Sequence, residues 1–265
     1  MSRPRLAKDA VTINVARVAI LVAFFGLWQV SAERKWIKPL FIGKPTKMWD
    51  FLHDSLTRWD FLHEEVLTTV REATYGFVLG AIAGLVFALA LSQLPRLERI
   101  LSPFLTLFNA MPKVGFAPLL TLWFGLGEMS KIVLVAFIVV FIVFVPVLAA
   151  LRLVDPDVVM MSRVMGANRL QLFQKTSVPA IMPALFGALR LGAVYSLLAA
   201  SFGEILAAKR GLGSVLITHT NNFDISGAFG VMLILAFLAL GMNGLLGLAE
   251  RRLLRWQSSH TSATE

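Results

Sequence analysis

Six long apolar runs separate the charged parts of this chain, and each is long enough to cross a membrane. A helix needs about 20 predominantly apolar residues to cross a bilayer core of about 30 Å. The composition agrees, because 57% of the residues are apolar and only 15% are charged. We therefore predict an all-α integral membrane protein with six transmembrane helices. The runs occupy roughly 13–30, 73–91, 104–126, 132–151, 184–208 and 228–248.

Membrane topology explains the charge of the chain. The formal net charge is +9, which in a soluble chain would suggest a nucleic-acid partner. Here the short segments on one side of the apolar runs are basic, as the cytoplasmic side of a membrane protein requires. We therefore expect membrane lipid and no nucleic acid as a partner. Both termini are placed in the cytoplasm, with tails at 1–12 and 252–265 around a transmembrane domain at 13–251.

The first apolar run permits two interpretations. Its basic start and the small residues around Val30, Ser31 and Ala32 resemble a cleavable secretory signal. We favour an uncleaved transmembrane helix, because about 18 apolar residues exceed the roughly 7–15 of a signal.

The outer, periplasmic segment at 31–65 contains a predicted amphipathic helix. In "TKMWDFLHDSLTRWDFLH", the apolar side chains recur every three or four residues with acids between them. Either this helix lies in the lipid headgroups, which we favour, or it forms a ledge for an extracytoplasmic partner. The apolar stripe consists of Trp49, Leu52, Leu56, Trp59 and His63.

The second run carries glycines at four-residue spacing, at Gly76, Gly80 and Gly84. Small residues on one stripe let helix backbones approach closely in a membrane, where burial of apolar surface drives no association. We predict a helix-packing face here.

The polar segment at 152–179 predicts two short helices joined by a glycine. Asp155 and Pro156 are typical of a helix start, Gly166 is typical of a helix end in a left-handed turn, and Asn168 can cap a second helix. These helices would expose several methionines, a side chain common on partner-binding surfaces. From the residues alone, a docking element and an interfacial loop remain equally supported.

The stretch "MMSRVMGANRLQLFQKTSVPAIMP" resembles the cytoplasmic EAA loop of binding-protein-dependent ABC importer permeases. That loop has Glu-Ala-Ala, three residues, a glycine, about nine further residues, and then a hydrophobic-x-hydrophobic-Pro close. Gly166 and Pro179 match, whereas Met160, Met161 and Ser162 stand in place of Glu-Ala-Ala. The resemblance implies a coupling element that contacts an ATPase through Met160, Met161, Ser162, Gly166, Ala167, Leu170, Phe173 and Pro179.

Motifs elsewhere resemble the nitrate, sulfonate and taurine subfamily of these permeases. They are "TTVREATYGFVLG", "APLLTLWFGLGEMSK", "GEILAAKRGLGSVLI", "NNFD" and "LAERRLLRW", in order over about 66–256. The resemblance implies the type I ABC importer permease (MetI-like) fold in the inner, or plasma, membrane. It implies as partners a second copy of the chain, two cytoplasmic ATPase subunits and a periplasmic or lipid-anchored solute-binding protein. ATP and Mg would bind to the ATPases, with no cofactor in this chain.

Polar residues within the predicted spans are candidates for the translocation pathway. Charged groups inside a membrane are costly, so each is a functional candidate. Lys113 would meet a small anionic solute, or else extend to the interface or pair with an acid such as Glu204. We place Glu204 at the interface, and the serines in hydrogen bonds between helices, as the simpler alternatives. The candidates are Asn109, Lys113, Tyr195, Ser196 and Glu204.

Several functions lack their sequence motifs. The chain has no cysteine, and therefore no disulfide or thiol nucleophile. It has no phosphate-binding G-x-x-x-x-G-K-[ST] motif, so we expect a non-enzyme whose ATP hydrolysis occurs in another subunit. An autonomous secondary transporter or channel is the main alternative, although it leaves the polar segment without a purpose. A membrane scaffold is a third hypothesis.

Overall fold

The computed structural model describes residues 3–37 and 39–253, and every regular element in these ranges is helical. The all-α prediction is therefore confirmed. Most of the predicted C-terminal tail lies outside the described residues. The elements are α1 Arg3–Glu33, α2 Pro39–Ile42, α3 Pro45–Thr57, a π-helical turn Phe61–Val66, α4 Leu67–Ser92, α5 Pro95–Ala110, a 3-10 turn Lys113–Phe116, α6 Ala117–Phe124, α7 Glu128–Arg152, α8 Pro156–Val164, α9 Arg169–Leu172, a π-helical turn Phe173–Ser177, α10 Val178–Ala207, α11 Leu212–Asn221 and α12 Ile225–Leu253.

Five stretches of helix in the described part are long and apolar enough to cross a membrane. A sixth is available if Pro95–Ala110 and Lys113–Phe124 form one span, but these two pieces meet at a bend of 81°. The predicted span at 104–126 is therefore interrupted where its prolines lie, whereas each of the other five predicted spans falls on a single helix. The five stretches are Thr12–Glu33, Phe61–Ser92, Glu128–Arg152, Leu170–Ala207 and Ile225–Leu253.

Prolines mark the start of the broken span and its break. Pro95 occupies the first turn of α5, so helix begins well before the predicted span at 104–126. Met111 is extended, with φ −66° and ψ 140°, because the ring of Pro112 disfavours helical geometry in the residue before it. Pro118 then starts α6. The helix thus breaks at Met111 and Pro112 and restarts within a few residues.

Contacts divide the chain into two compact units, and α7 is the central helix of the unit formed by His63–Ser214 and Leu235–Glu265. Val135, Val139, Val143 and Val147 repeat every four residues along α7 and are fully buried. Burial along one whole stripe of a helix is what packing inside a bundle requires.

The glycine stripe of α4 packs against α7, as predicted. A Cβ atom added to Gly80 would lie 2.6 Å from the carbonyl oxygen of Ala136, and one added to Gly84 would lie 2.6 Å from that of Val140. Such distances leave no room for any side chain. The two backbones therefore approach as closely as the small-residue spacing indicated.

The other unit, Met1–Leu62 with Val215–Ile234, is held by contacts between its loops and helices. The Trp28 indole donates to the carbonyl oxygen of Ile42 at 3.0 Å, and the Lys44 N–H donates to Ser226 Oγ at 2.9 Å. Helix α1 starts at Arg3, so most of the segment 1–12, predicted as a tail, is helical.

The predicted amphipathic helix of the outer segment is shorter than its pattern suggested. α3 ends at Thr57 because Arg58 is extended, so Trp59 lies beyond the helix. Leu52 is buried as expected, whereas the Trp49 side chain is exposed. The apolar stripe of the sequence is therefore not one continuous face.

Candidate functional site

The polar segment after α7 begins with a capped helix, as its sequence predicted. An Asp155 carboxylate oxygen accepts a hydrogen bond from the Asp157 N–H at 2.8 Å, and Pro156 occupies the first turn of α8. The cap satisfies a backbone donor that has no partner within the helix. α8 ends at Val164, close to the predicted end at Met165.

A glycine turn and a second cap follow. Gly166 has φ +84°, a left-handed conformation that costs other residues about 1–2 kcal/mol. The Gln171 N–H donates to Asn168 Oδ1 at 2.8 Å, and the Asn168 N–H donates to Gln171 Oε1 at 2.9 Å. This reciprocal pair forms a capping box at the start of α9. The short helices are thus fixed by local hydrogen bonds.

Five apolar side chains on these helices are between 61% and 84% exposed, and we call them the methionine surface. Four of them were predicted to be exposed. Val164 was missed, although it lies three and four residues beyond the two adjacent methionines and therefore faces the same way. The predicted residues Ser162, Ala167, Phe173 and Pro179 are half-buried. The methionine surface consists of Met160, Met161, Val164, Met165 and Leu170.

The segment continues into the membrane helix without a break. Val178 donates its N–H to the carbonyl oxygen of Phe173, five residues back, so a π-helical turn joins α9 to α10. Pro179 lies in the first turn of α10, a position that proline tolerates. Helical structure therefore runs from Leu170 to Ala207, which extends well beyond the predicted span at 184–208.

An ion pair ties the start of the polar segment to α5. Arg152, the last residue of α7, contacts the Glu98 carboxylate in the first turn of α5. The Glu98 side chain is mostly buried, at 15% exposure. The polar segment is thus attached to α5 as well as to α10.

A cavity of about 680 Å³ lies between the broken span, α7 and α10. Asn109 and Lys113 line it at the helix break, Phe141 lines it from α7, and Tyr195 and Phe202 line it from α10. Three of the predicted pathway residues, Asn109, Lys113 and Tyr195, are therefore brought together. The break at Pro112 produces this arrangement by turning α5 away from α6.

Lys113 is positioned by its own helix end and by an aromatic ring. Its Nζ donates to the carbonyl oxygen of Asn109 at 2.7 Å and lies 4.7 Å from the ring centroid of Phe141. The latter distance is that of a cation–π contact. Within the part of the chain that the structure describes, Lys113 forms no ion pair, so the alternative of a pair with Glu204 is not observed.

The two other predicted pathway residues lie elsewhere. Ser196 is fully buried, and its hydroxyl donates to the Ala193 carbonyl oxygen at 2.8 Å. Glu204 is 1% exposed, so it is neither at an interface nor on the cavity wall. Adjacent residues on a helix point about 100° apart, which explains why Tyr195 lines the cavity and Ser196 does not.

The Glu204 carboxylate instead holds the start of α11. It accepts hydrogen bonds from the Thr69 hydroxyl at 2.7 Å and from the Gly213 N–H at 2.6 Å. The Leu212 N–H donates to Thr69 Oγ1 at 2.8 Å. Carboxylate and hydroxyl groups thus satisfy the first backbone donors of α11.

Lys131 completes a buried charge cluster that the sequence interpretation missed. Its Nζ donates to carbonyl oxygens of Leu126, Gly127 and Ala207 at 2.6–3.2 Å. Among the charged groups, Glu72 and Glu204 act on it most strongly, and all three side chains are buried. We call Glu72, Lys131 and Glu204 the buried charge cluster.

The cluster is hard to detect from the sequence, because Arg71 and Glu72 stand side by side at the start of the second apolar run. Charges in such positions usually lie at the membrane surface. In the structure Arg71 pairs with Glu128 at 3.2 Å in an exposed position, whereas Glu72 turns inward.

Residues 76–255 match the family of binding-protein-dependent transport system inner membrane components. The riboflavin transport system permease protein RibX of Chloroflexus aurantiacus is 30% identical, over 97% of this chain and 94% of its own length. The taurine transport system permease protein TauC of Escherichia coli K12 is 29% identical, over 93% and 90%. The formylaminopyrimidine transport permease protein ThiX of Halalkalibacterium halodurans is 28% identical, over 87% and 91%.

Solved structures share the same architecture. An amino acid ABC transporter chain aligns with a TM-score of 0.58 and 16% identity, over 78% of this chain and 96% of its own. An inward-facing MetNI methionine ABC transporter chain aligns with a TM-score of 0.56 and 21% identity, over 80% and 98%. These likenesses show the fold.

Proposed function

The chain belongs to the family of binding-protein-dependent transport system inner membrane components, the permease subunits of ABC importers, and we propose that it moves a small solute into the cytoplasm by alternating access. Two copies of the chain would associate with two ATPase subunits and with an external solute-binding protein. ATP and Mg would bind to the ATPases, since this chain has no phosphate-binding motif of its own.

The methionine surface is the observation that carries this proposal. Five large apolar side chains are exposed on two short helices, and hydrogen bonds cap the start of each helix. Exposed apolar clusters on a rigid element mark protein interaction sites, and methionine adapts to the shape of a partner. An ATPase groove could therefore bind this surface without first having to order the two short helices.

The connections of the segment suggest how ATPase movement reaches the cavity. Helical structure continues from Leu170 into α10, which carries Tyr195. The Arg152–Glu98 ion pair ties the same segment to α5, which ends beside Lys113. A displacement of the methionine surface would therefore move two walls of the cavity, as alternating access requires.

We propose that the methionine surface and both termini face the cytoplasm. The segments on that side carry an excess of Lys and Arg, including Arg96 and Arg99 between the second and third predicted spans. This distribution is the one that the positive-inside rule predicts. ATP is available on that side of the membrane, so the docking surface and the ATPases would share a compartment.

The solutes for which the relatives are named do not select a solute for this chain. Permeases named for riboflavin, taurine and formylaminopyrimidine are similar to it at 28–30% identity. These solutes differ in charge and size. The chemistry of the cavity wall is therefore a better guide to the ligand class than the relatives' names.

A cysteine crosslink tests the proposed coupling. The chain has no cysteine of its own, so Leu170→Cys introduces a single thiol on the methionine surface. We expect disulfide crosslinks to cysteines placed along the groove of a co-expressed ATPase, with a yield that changes when ATP is added. Met161→Cys provides a second position.

Lys209→Cys is the matched control, because Lys209 is exposed but lies beyond the opposite end of α10. It should give no crosslink to the ATPase. An inserted, folded protein in which neither Leu170→Cys nor Met161→Cys crosslinks would contradict the coupling assignment and favour an autonomous transporter.

A further inference from the structure

The cavity between the broken span, α7 and α10 has one charged group in its wall. Lys113 is the sole charged residue among those that line it, and no acid contributes to the wall in the described chain. Its volume of about 680 Å³ lies within the range of roughly 300–1,000 Å³ that is usual for small-molecule sites.

The Lys113 ammonium group is oriented but not neutralised. It has three N–H donors, and its closest bond is to one carbonyl oxygen, of Asn109, at 2.7 Å. The Phe141 ring holds the cation from one side. A half-buried cation without an acid partner among the described residues attracts an anion more strongly than it would in open water.

The rest of the wall favours an apolar body on that anion. Phe141, Tyr195 and Phe202 present aromatic surface, and Leu198 adds aliphatic surface beside them. An inorganic anion would leave this surface against water, whereas a ring or short hydrocarbon would cover it.

We propose that this cavity receives the transported solute and that the solute is a small organic oxyanion, a carboxylate or sulfonate with a flat apolar body. Lys113 contacts the acid group, while Phe141 and Tyr195 contact the body. This inference rests on the proposed importer function, because it assigns that function's solute to this cavity.

The test places a thiol in the cavity and compares reagents of opposite charge. Leu198→Cys is introduced into the complete complex with its ATPases in lipid nanodiscs. Reaction with a sulfonate-bearing and a trimethylammonium-bearing methanethiosulfonate is followed by the mass of this chain. Each rate is divided by the rate with a free thiol in solution. Tyr195→Cys serves as a second reporter.

We expect the normalised rate to favour the anionic reagent by roughly tenfold, because a unit charge acting over about 6 Å in water attracts one reagent and repels the other. Lys113→Gln should abolish the preference, and Lys113→Arg should retain it. Benzenesulfonate should slow labelling severalfold more than the neutral methyl phenyl sulfone or the smaller ethanesulfonate.

Three results would overturn the inference. The first is a preference for the anionic reagent that survives in Lys113→Gln. The second is protection by the neutral sulfone or by ethanesulfonate that equals protection by benzenesulfonate. The third is a thiol that neither reagent reaches. In the last case a second copy of the chain or lipid covers the wall. The ATPase crosslink at Leu170 is scored separately, so a failed anion preference with an intact crosslink leaves the importer function standing.

Discussion

Lys131 brings a positive charge into the interior of the helical unit, where burial would be costly without partners. Three backbone carbonyl oxygens accept its hydrogen bonds, and Glu72 and Glu204 lie nearby. One of these carbonyls, that of Ala207, belongs to the last turn of α10, whose final carbonyls lack partners within the helix. The lysine therefore closes a helix end and balances buried acids at the same time.

We expect Lys131→Met to destabilise the protein by about 3–5 kcal/mol, because removing one member of a buried charge group leaves the others uncompensated. The carbonyl oxygens of Leu126, Gly127 and Ala207 would also lose their donor. Thermal unfolding of the purified complex in nanodiscs measures the effect as a lower Tm.

Lys209→Met is the control for this substitution, since it makes the same change at an exposed position near the same loop. Its Tm should stay within the small range usual for surface changes. Equal Tm values for the two variants would show that the buried charge cluster does not hold the fold together.

Residue types in the sequence predicted part of the candidate site. Lys113 with Asn109 and Tyr195 was identified because polar groups inside apolar runs are rare. The direction of each side chain was not accessible in this way. Glu72, Ser196 and Glu204 turn into the helical core, because the rotation of each helix is fixed by its neighbours rather than by its own sequence.

At the scale of helices, α4 and α7 depend on the absence of side chains between them. The carbonyl oxygen of Ala136 is 2.6 Å from where a Cβ of Gly80 would stand. We expect Gly80→Ala to separate the helices and destabilise the protein by about 1–3 kcal/mol, the usual effect of overpacking. The measurement is again the Tm of the complex in nanodiscs.

Gly26→Ala is the matched control for Gly80→Ala. Gly26 also lies within a long apolar helix, but an added Cβ there meets nothing within 4 Å. Its Tm should be unchanged or slightly higher, because alanine favours helix over glycine. A Tm for Gly80→Ala that matches this control would show that α4 and α7 can separate without cost.

Leu170 on α9 is exposed on the methionine surface, where an ATPase would dock. We expect Leu170→Glu to abolish co-purification of the ATPase, because a charge would have to be desolvated in an apolar interface. The helix itself should persist, since Asn168 and Gln171 retain their capping bonds. Pull-down of the ATPase by a tag on this chain measures the effect, and monodisperse elution confirms folding.

Gln171→Glu adds the same charge one residue further along, where a carboxylate preserves the capping box. This variant should retain the ATPase. Normal recovery of the ATPase with Leu170→Glu would place the docking surface elsewhere on the chain.

Helices were predictable where apolar length defines them, but the geometry at their breaks was not. Pro112 and Pro118 lie within the apolar run at 104–126 and indicate an interrupted helix there. The bend of 81° depends on how the two helical pieces pack, which length does not reveal. Local caps were different. The ends of α8 and the turn at Gly166 follow from neighbouring residues and were predicted correctly.

On the scale of the whole molecule, two mechanical connections lead from the methionine surface to the cavity. One is continuous helix from Leu170 to Ala207. The other is the ion pair between Arg152 and Glu98. The order of the motifs along the chain was enough to predict the family and its fold. The ion pair was not predictable, because its two residues are about fifty positions apart and belong to no common motif.

The ion pair offers a test of that second connection that needs no identified solute. Leu198→Cys in the cavity should react at a rate that changes when the ATPases bind ATP, since alternating access opens and closes the wall. We expect Arg152→Glu to reduce this ATP-dependent change, because two acids then repel each other where Arg152 and Glu98 make contact. The labelling rate without ATP and the recovery of the ATPase should remain as in the parent chain.

Charge reversal of both partners, Arg152→Glu with Glu98→Arg, should restore the ATP-dependent change, since attraction returns with the charges exchanged. Glu98→Arg alone should resemble Arg152→Glu. If the double variant restores the ATP-dependent change, the ion pair acts as a mechanical link. A general loss of structure would instead become worse with a second charge reversal. An ATP-dependent change that is full in both single variants would mean that α10 alone carries movement from the docking surface to the cavity.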